Sequence, residues 1–185
     1  MNLARYLATT ILLASLALGQ SQPRNNPSVK ETLRWIQTSL ESGAGDYSVG
    51  HEMRSLRLDD FVGCRAHFSY STRQEPYANG EPAPEPNKKY HLDYFFSLRD
   101  IDPTKITYTK GPPNRIDVPA LVTIHTRNDE KKITVMLPYE SQADSKPSDI
   151  YLILTMDAFD NDYVVRFAKA FKHAVVRCGG KPSLF

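Results

Sequence analysis

Cysteine is scarce in this chain, with two in 185 residues, and so is a surplus of charge of either sign. Twenty-three Lys and Arg stand against 21 Asp and Glu, a formal net charge of +2. That balance gives no electrostatic case for binding nucleic acid or an anionic membrane. Long apolar runs are missing too. The longest, residues 6–18, falls short of the roughly 20 apolar residues that cross a bilayer. No G-x-S-x-G, P-loop, dinucleotide fingerprint or H-E-x-x-H occurs, so the common hydrolase, nucleotide and zinc-protease signatures are excluded.

What the chain does have begins with "MNLARYLATTILLASLALGQ". Arg5 precedes the short apolar run, and the small residues Ala17 and Gly19 close it, as in a secretory signal peptide cleaved near Gly19. The expected organisation is a leader at 1–19, a disordered tail at 20–27 and one domain at 28–185. Export puts Cys64 and Cys178 in an oxidising compartment, where two thiols normally end as a bridge. A disulfide between them is the expectation, and two separate buried thiols the alternative.

"SVKETLRWIQTSLESGAG" opens on Ser28 and Glu31 in capping-box spacing. Val29, Leu33, Ile36 and Leu40 follow on one face of a 3.6-residue repeat, and Gly43 ends the helix. From residue 46 to 156 the period shortens to two, and Thr, Tyr, Val and Ile become frequent. About seven strands are read, within "DYSVGHEMRSLRL", "CRAHFSYST", "YHLDYFFSLRD", "KITYTK", "ALVTIHT", "KITVML" and "IYLILTM". Asn128 and Asp129 between the fifth and sixth predict a hairpin turn. The Pro-rich loop at 73–89 and the polar segment at 138–149 read as exposed connections.

A closing helix starts after "DAFDND", with Asp160 or Asn161 as its cap and Asp162 near its positive end. Val164, Phe167, Ala168, Phe171, Ala174, Val175 and Cys178 make an unbroken apolar stripe, with Arg166, Lys169, Lys172, His173 and Arg177 opposite. Gly179, Gly180 and Pro182 stop it. The stripe is expected to plug the sheet, fastened by Cys178 to Cys64.

This order of elements, an α+β chain with an N-terminal helix, a sheet or partly open barrel and a C-terminal amphipathic helix, resembles the pleckstrin-homology-like superfold. "SLRDIDPTKI" at 97–106 with "RFAKAFKHAVVRCGGKPSLF" at 166–185 is similar to a group of exported bacterial domains of uncharacterised activity. The resemblance implies an exported protein, secreted or periplasmic, and brings no functional residues, because the superfold serves lipid, peptide and protein binders alike.

Candidate chemistry is sparse. His51, His67, His91, His125 and His173 fall one to an element, and no two share a helix face, so no metal or other cofactor is expected. His91 and Asp93 can pair on one strand face. Asp157, Asp160 and Asp162 lack the glycine and distal glutamate of an EF-hand and read as capping residues. Asp100 and Asp102 in "RDIDP" are either an acid-base pair or turn residues. The basic face of the closing helix, Arg166, Lys169, Lys172 and Arg177, is either a partner-binding surface or an ordinary solvated face. Trp35 lies beside its helix stripe and is assigned to the core edge. The resulting expectation is a non-enzymatic exported module that binds an envelope protein or peptide through a sheet edge or loops. A carrier of lipid or another apolar small molecule, and a hydrolase using Asp100 or Asp102, are the alternatives.

Overall fold

The computed structural model describes residues 26–49, 52–74, 77–78, 81–82, 89–110, 119–136, 146–154 and 162–184. The expected leader at 1–19, Asp157, Asp160 and the expected cap Asn161 lie outside them. The chain is α+β; the described residues form two helices and two main antiparallel sheets, of five and three strands, that do not close on each other.

Helix α1 (Val29–Ser39) starts as its sequence dictates. The Ser28 amide donates to Glu31 Oε2 at 2.7 Å, and the Glu31 amide to Ser28 Oγ at 3.2 Å. Both are amides the first turn cannot otherwise satisfy. Leu33, Ile36 and Leu40 are buried, and Gly43, at φ 109°, turns the chain out of a short π-type extension.

The strands are β1 (Asp46–Val49), β2 (Glu52–Val62), β3 (Arg65–Gln74), β4 (Tyr77–Ala78), β5 (Glu81–Pro82), β6 (Lys89–Ser97), β7 (Thr107–Thr109), β8 (Ala120–His125), β9 (Thr134–Met136) and β10 (Asp149–Leu154). The larger sheet runs β1-β2-β3-β6-β9 and the smaller β10-β8-β7, while β4 and β5 pair only with each other. Among the described residues, ten strands stand where about seven were expected, divided between sheets of five, three and two strands where one sheet was expected. The first segment proves to be two strands, Tyr47 pairing with Arg54 and Val49 with Glu52, so the inward positions shift from odd (Tyr47) to even (Leu56, Leu58) within what reads as one short alternating run. The pair β4 and β5 sits inside the Pro-rich connection, too short to register as a period.

The expected hairpin at Asn128 and Asp129 is overturned as well. Both residues take positive φ, 55° and 54°, as tight-turn residues do. Yet β8 pairs with β7 and β10 while β9 pairs with β6, so the turn carries the chain from one sheet to the other. The hand of the turn was readable; the partner of the next strand was not. Buried Thr126 anchors the crossing, its amide donating to the Ser148 carbonyl at 2.7 Å and its hydroxyl to the carbonyls of Ser148 and Glu130.

Helix α2 (Tyr163–Arg177) buries Val164, Phe167, Ala168, Phe171, Ala174 and Val175, the stripe read from the sequence. Its rings mesh with the larger sheet: Phe171 lies 6.2 Å from Phe68 and 6.4 Å from Phe96, centroid to centroid. The core also takes Val122 and Ile124 of β8 and Leu152 and Leu154 of β10, so both sheets and both helices share one apolar interior. Cys178 bonds to Cys64, in the turn between β2 and β3, with an S–S distance of 2.09 Å. Just beyond it Gly180 packs so tightly that a Cβ would stand 2.5 Å from Val175 Cγ1 and 2.9 Å from the Ile101 carbonyl oxygen.

Candidate functional site

The larger sheet has two chemically different faces. Leu56, Leu58, Phe68 and Phe96 point inward. The alternate residues face outward, and across the ladder they align as Ser55, Ser71 and His91, then Ser69 and Asp93, then His67 and Phe95. Exposed Met53, Val62, Phe95 and Met136 lie on the same outer side, following the same alternation.

A β-bulge between Leu58 and Asp60 changes what this face holds. The extra residue, Asp59, falls out of the ladder and brings its carboxylate to 3.8 Å from His67 Nε2. Gln37 of α1 fixes the bulge by donating Nε2 to the carbonyls of Leu58 at 3.0 Å and Asp59 at 3.3 Å. From the other flank Asp93 Oδ1 lies 2.7 Å from His67 Nε2 and 3.2 Å from His91 Nε2. The His67 ring stacks on Phe95 at 4.2 Å and 15°, which limits its rotation. One imidazole and two carboxylates from three strands thus converge, with a second imidazole, His91, against the far side of Asp93. The anticipated pairing of His91 with Asp93 is present. The meeting with His67 and Asp59 was not visible in the sequence, because it depends on strand register and on the bulge.

Two grooves flank this cluster. One, of about 590 Å³, is lined in part by Phe61, Val62, Arg65, His67, Phe95 and Ser97. The other, of about 430 Å³, runs past Met53, Ser55, Ser71, Arg73, Tyr90 and His91. At the edge of the sheet Arg54 ties the strands together, donating to Tyr47 Oη at 3.1 Å and to Glu52. Burial, aided by the hydrogen bond with Tyr70, pushes the Tyr47 hydroxyl up to about 12. Burial also works against the Arg54 charge, but its bonds to Tyr47 and Glu52 outweigh that and raise its pKa.

The other singled-out residues sort clearly. Arg166, Lys169, Lys172 and Arg177 are exposed on α2. His173, expected on the same solvated side, is instead half-buried between the helices, with Nδ1 3.1 Å from Thr32 Oγ1 and Nε2 2.7 Å from Asn26 Oδ1. The reason is that α1 packs alongside α2 and covers that flank. Trp35, assigned to the core edge, lies outside the apolar cluster, 39% exposed and with its ring 6.2 Å from that of Tyr163. Asp162 pairs with Lys110 at 3.1 Å.

Asp100 and Asp102 do not act as a pair. Asp100 faces Lys132 at 3.3 Å. Asp102 is fully buried and accepts four hydrogen bonds, from the amides and hydroxyls of Thr104 and Ser183 at 2.6 to 2.8 Å. Burial alone would raise its pKa, but those four donors reverse the direction and hold the carboxyl well below the ordinary range. A carboxylate so saturated is a structural tie.

No family model matches the chain, and no curated protein or solved structure does either. Among the described residues, no helix is long and apolar enough to cross a membrane.

Proposed function

We propose that the protein is an exported, non-enzymatic binding module that holds an extended segment of a partner protein on the outer face of its larger sheet. The observation that carries this reading is the composition of that face. Exposed Met53, Val62, Phe95 and Met136 stand among Ser, His and Asp side chains and two grooves, and no described element packs over them. Apolar anchors spaced along strands, with hydrogen-bonding groups between them, suit a polypeptide with alternating side chains. The disulfide accords with export. The sheets capped by a C-terminal helix accord with a pleckstrin-homology-like module, from which the insertion of β9 beside β6 departs.

The alternative of a lipid carrier has less support. Phe68, Phe96, Phe167 and Phe171 fill the space between sheet and α2 that an apolar ligand would occupy. The hydrolase alternative rested on Asp100 and Asp102, which are engaged elsewhere. The basic residues Arg166, Lys169, Lys172 and Arg177 offer an accessory surface for an acidic partner. A peptide-display selection against the whole disulfide-bonded protein tests the reading. Enriched peptides should lose binding to Val62→Glu and Met136→Glu variants that fold normally. Enrichment indifferent to both substitutions, or none at all, overturns it.

A further inference from the structure

We propose that His67, Asp93 and Asp59, with His91 in reserve, form a binding site for a divalent transition metal of the Zn²⁺ type. His67 Nε2, one oxygen of Asp93 and one of Asp59 all lie within 4.8 Å of one another. Ligand atoms around a four-coordinate zinc, at bonds of about 2.0–2.1 Å, are separated by about 3.3 Å. The observed separations from His67 Nε2, 2.7 Å to Asp93 and 3.8 Å to Asp59, bracket that value. Shifts of about half an ångström, well within side-chain rotation, would admit the ion.

The donor set selects the class of metal. Imidazole nitrogen with two carboxylate oxygens suits zinc and its neighbours, whereas calcium and magnesium prefer oxygen alone. The fourth position falls to water, or to His91 once its side chain turns inward, since its Nε2 lies 3.2 Å from the Asp93 oxygen but outside the group of three. Without an ion, a hydrogen-bonded His–Asp–His group accounts for two of the three contacts. Asp59, aimed at His67 by the bulge that Gln37 fixes, makes only a long ion-pair approach at 3.8 Å, whereas an ion would engage all three groups at once. The supports of the site are largely rigid: Phe95 stacks on His67, and Gln37 holds the bulge.

This inference stands apart from the peptide-binding reading, since it concerns an ion and uses none of the apolar anchors as ligands. Zn²⁺ alone, titrated calorimetrically into the full disulfide-bonded protein, is the test. One saturable site is expected. His67→Ala and Asp93→Asn should each weaken it by at least about tenfold, while His125→Asn, outside the cluster, leaves it unchanged. Zinc should also raise the melting temperature of the parent and not of the two ligand variants, because an ion that binds only the folded state stabilises it. Both variants alter partly buried residues of the outer face, and their melting temperatures without metal show whether they fold. Absence of saturable binding, binding by His67→Ala and Asp93→Asn as tight as that of the parent, or competition by equimolar Ca²⁺ would overturn the proposal.

Discussion

Ser183 gives both its backbone amide, at 2.8 Å, and its hydroxyl, at 2.6 Å, to one carboxylate oxygen of Asp102, 81 residues earlier in the chain. Thr104 does the same to the other oxygen. The segment after α2 is thereby fixed to the bend that follows β6.

Replacing Asp102 should therefore be costly although no chemistry depends on it. Asp102→Ala is expected to lower stability by about 3 kcal/mol, through lost charge-assisted bonds and the donors left unpaired. The pH dependence has a definite sign. The folded-state pKa of Asp102 is depressed, so its contribution is complete above about pH 4, the unfolded value, and fades as pH falls toward the folded one. Urea unfolding at pH 7 and pH 3 should show a steeper acid loss for the parent than for the variant. Equal losses would remove Asp102 from this role.

Reduction of the Cys64–Cys178 bond opens a loop with a sequence separation of 114. In the chain-entropy model this lowers stability by roughly 4 to 5 kcal/mol. Denaturant midpoints of the oxidised protein and of a Cys64→Ser/Cys178→Ser double variant measure the difference. A gap under about 1 kcal/mol would mean that the unfolded chain is already compact.

Phe171→Ala removes a fully buried ring that touches Phe68, Phe96 and Phe167. A loss of about 3 to 5 kcal/mol is expected. Calorimetric melting tests it, and an unshifted melting temperature would contradict the packing of α2 on the sheet.

Gly180→Ala places a methyl group 2.5 Å from Val175 Cγ1 and 2.9 Å from the Ile101 carbonyl. The side chain of Val175 can turn, but the backbone oxygen cannot retreat cheaply. A loss of about 1 to 3 kcal/mol follows. Gly179→Ala, strained at φ 88° but with open space around it, separates backbone strain from collision.

Much of this molecule was legible because its signals are local. The capping box at Ser28 and Glu31, the α2 stripe and the inward alternation of Ala66 and Phe68 each depend on neighbours a few residues away, and all are present. The bridge was legible for a different reason, since two cysteines leave a single intramolecular pairing. What the sequence hid are matters of register. Asp59 reaches His67 because one residue is extruded at Leu58 and Asp60, and Asp93 meets His67 because β3 and β6 align Ser69 with Asp93. The bulge also inverts the alternation, so Phe61 faces inward where an unbroken strand starting at Leu56 would carry an outward residue. No pattern confined to one segment states which residue will lie opposite on the next.

The crossing from β8 to β9 bears on how the protein is assembled. Synthesis delivers β1, β2, β3 and β6 before β7 and β8, and only afterwards β9, which completes the five-stranded sheet beside β6. While the chain emerges, the edge formed by Asp93, Tyr94 and Phe95 is therefore bare until residue 134 arrives, a window in which it can recruit a stray strand. The third strand of the smaller sheet comes later still, at residues 149–154. Neither layer can finish without most of the other in place, so no fragment ending between them should fold alone, and unfolding of the intact protein should be all-or-none.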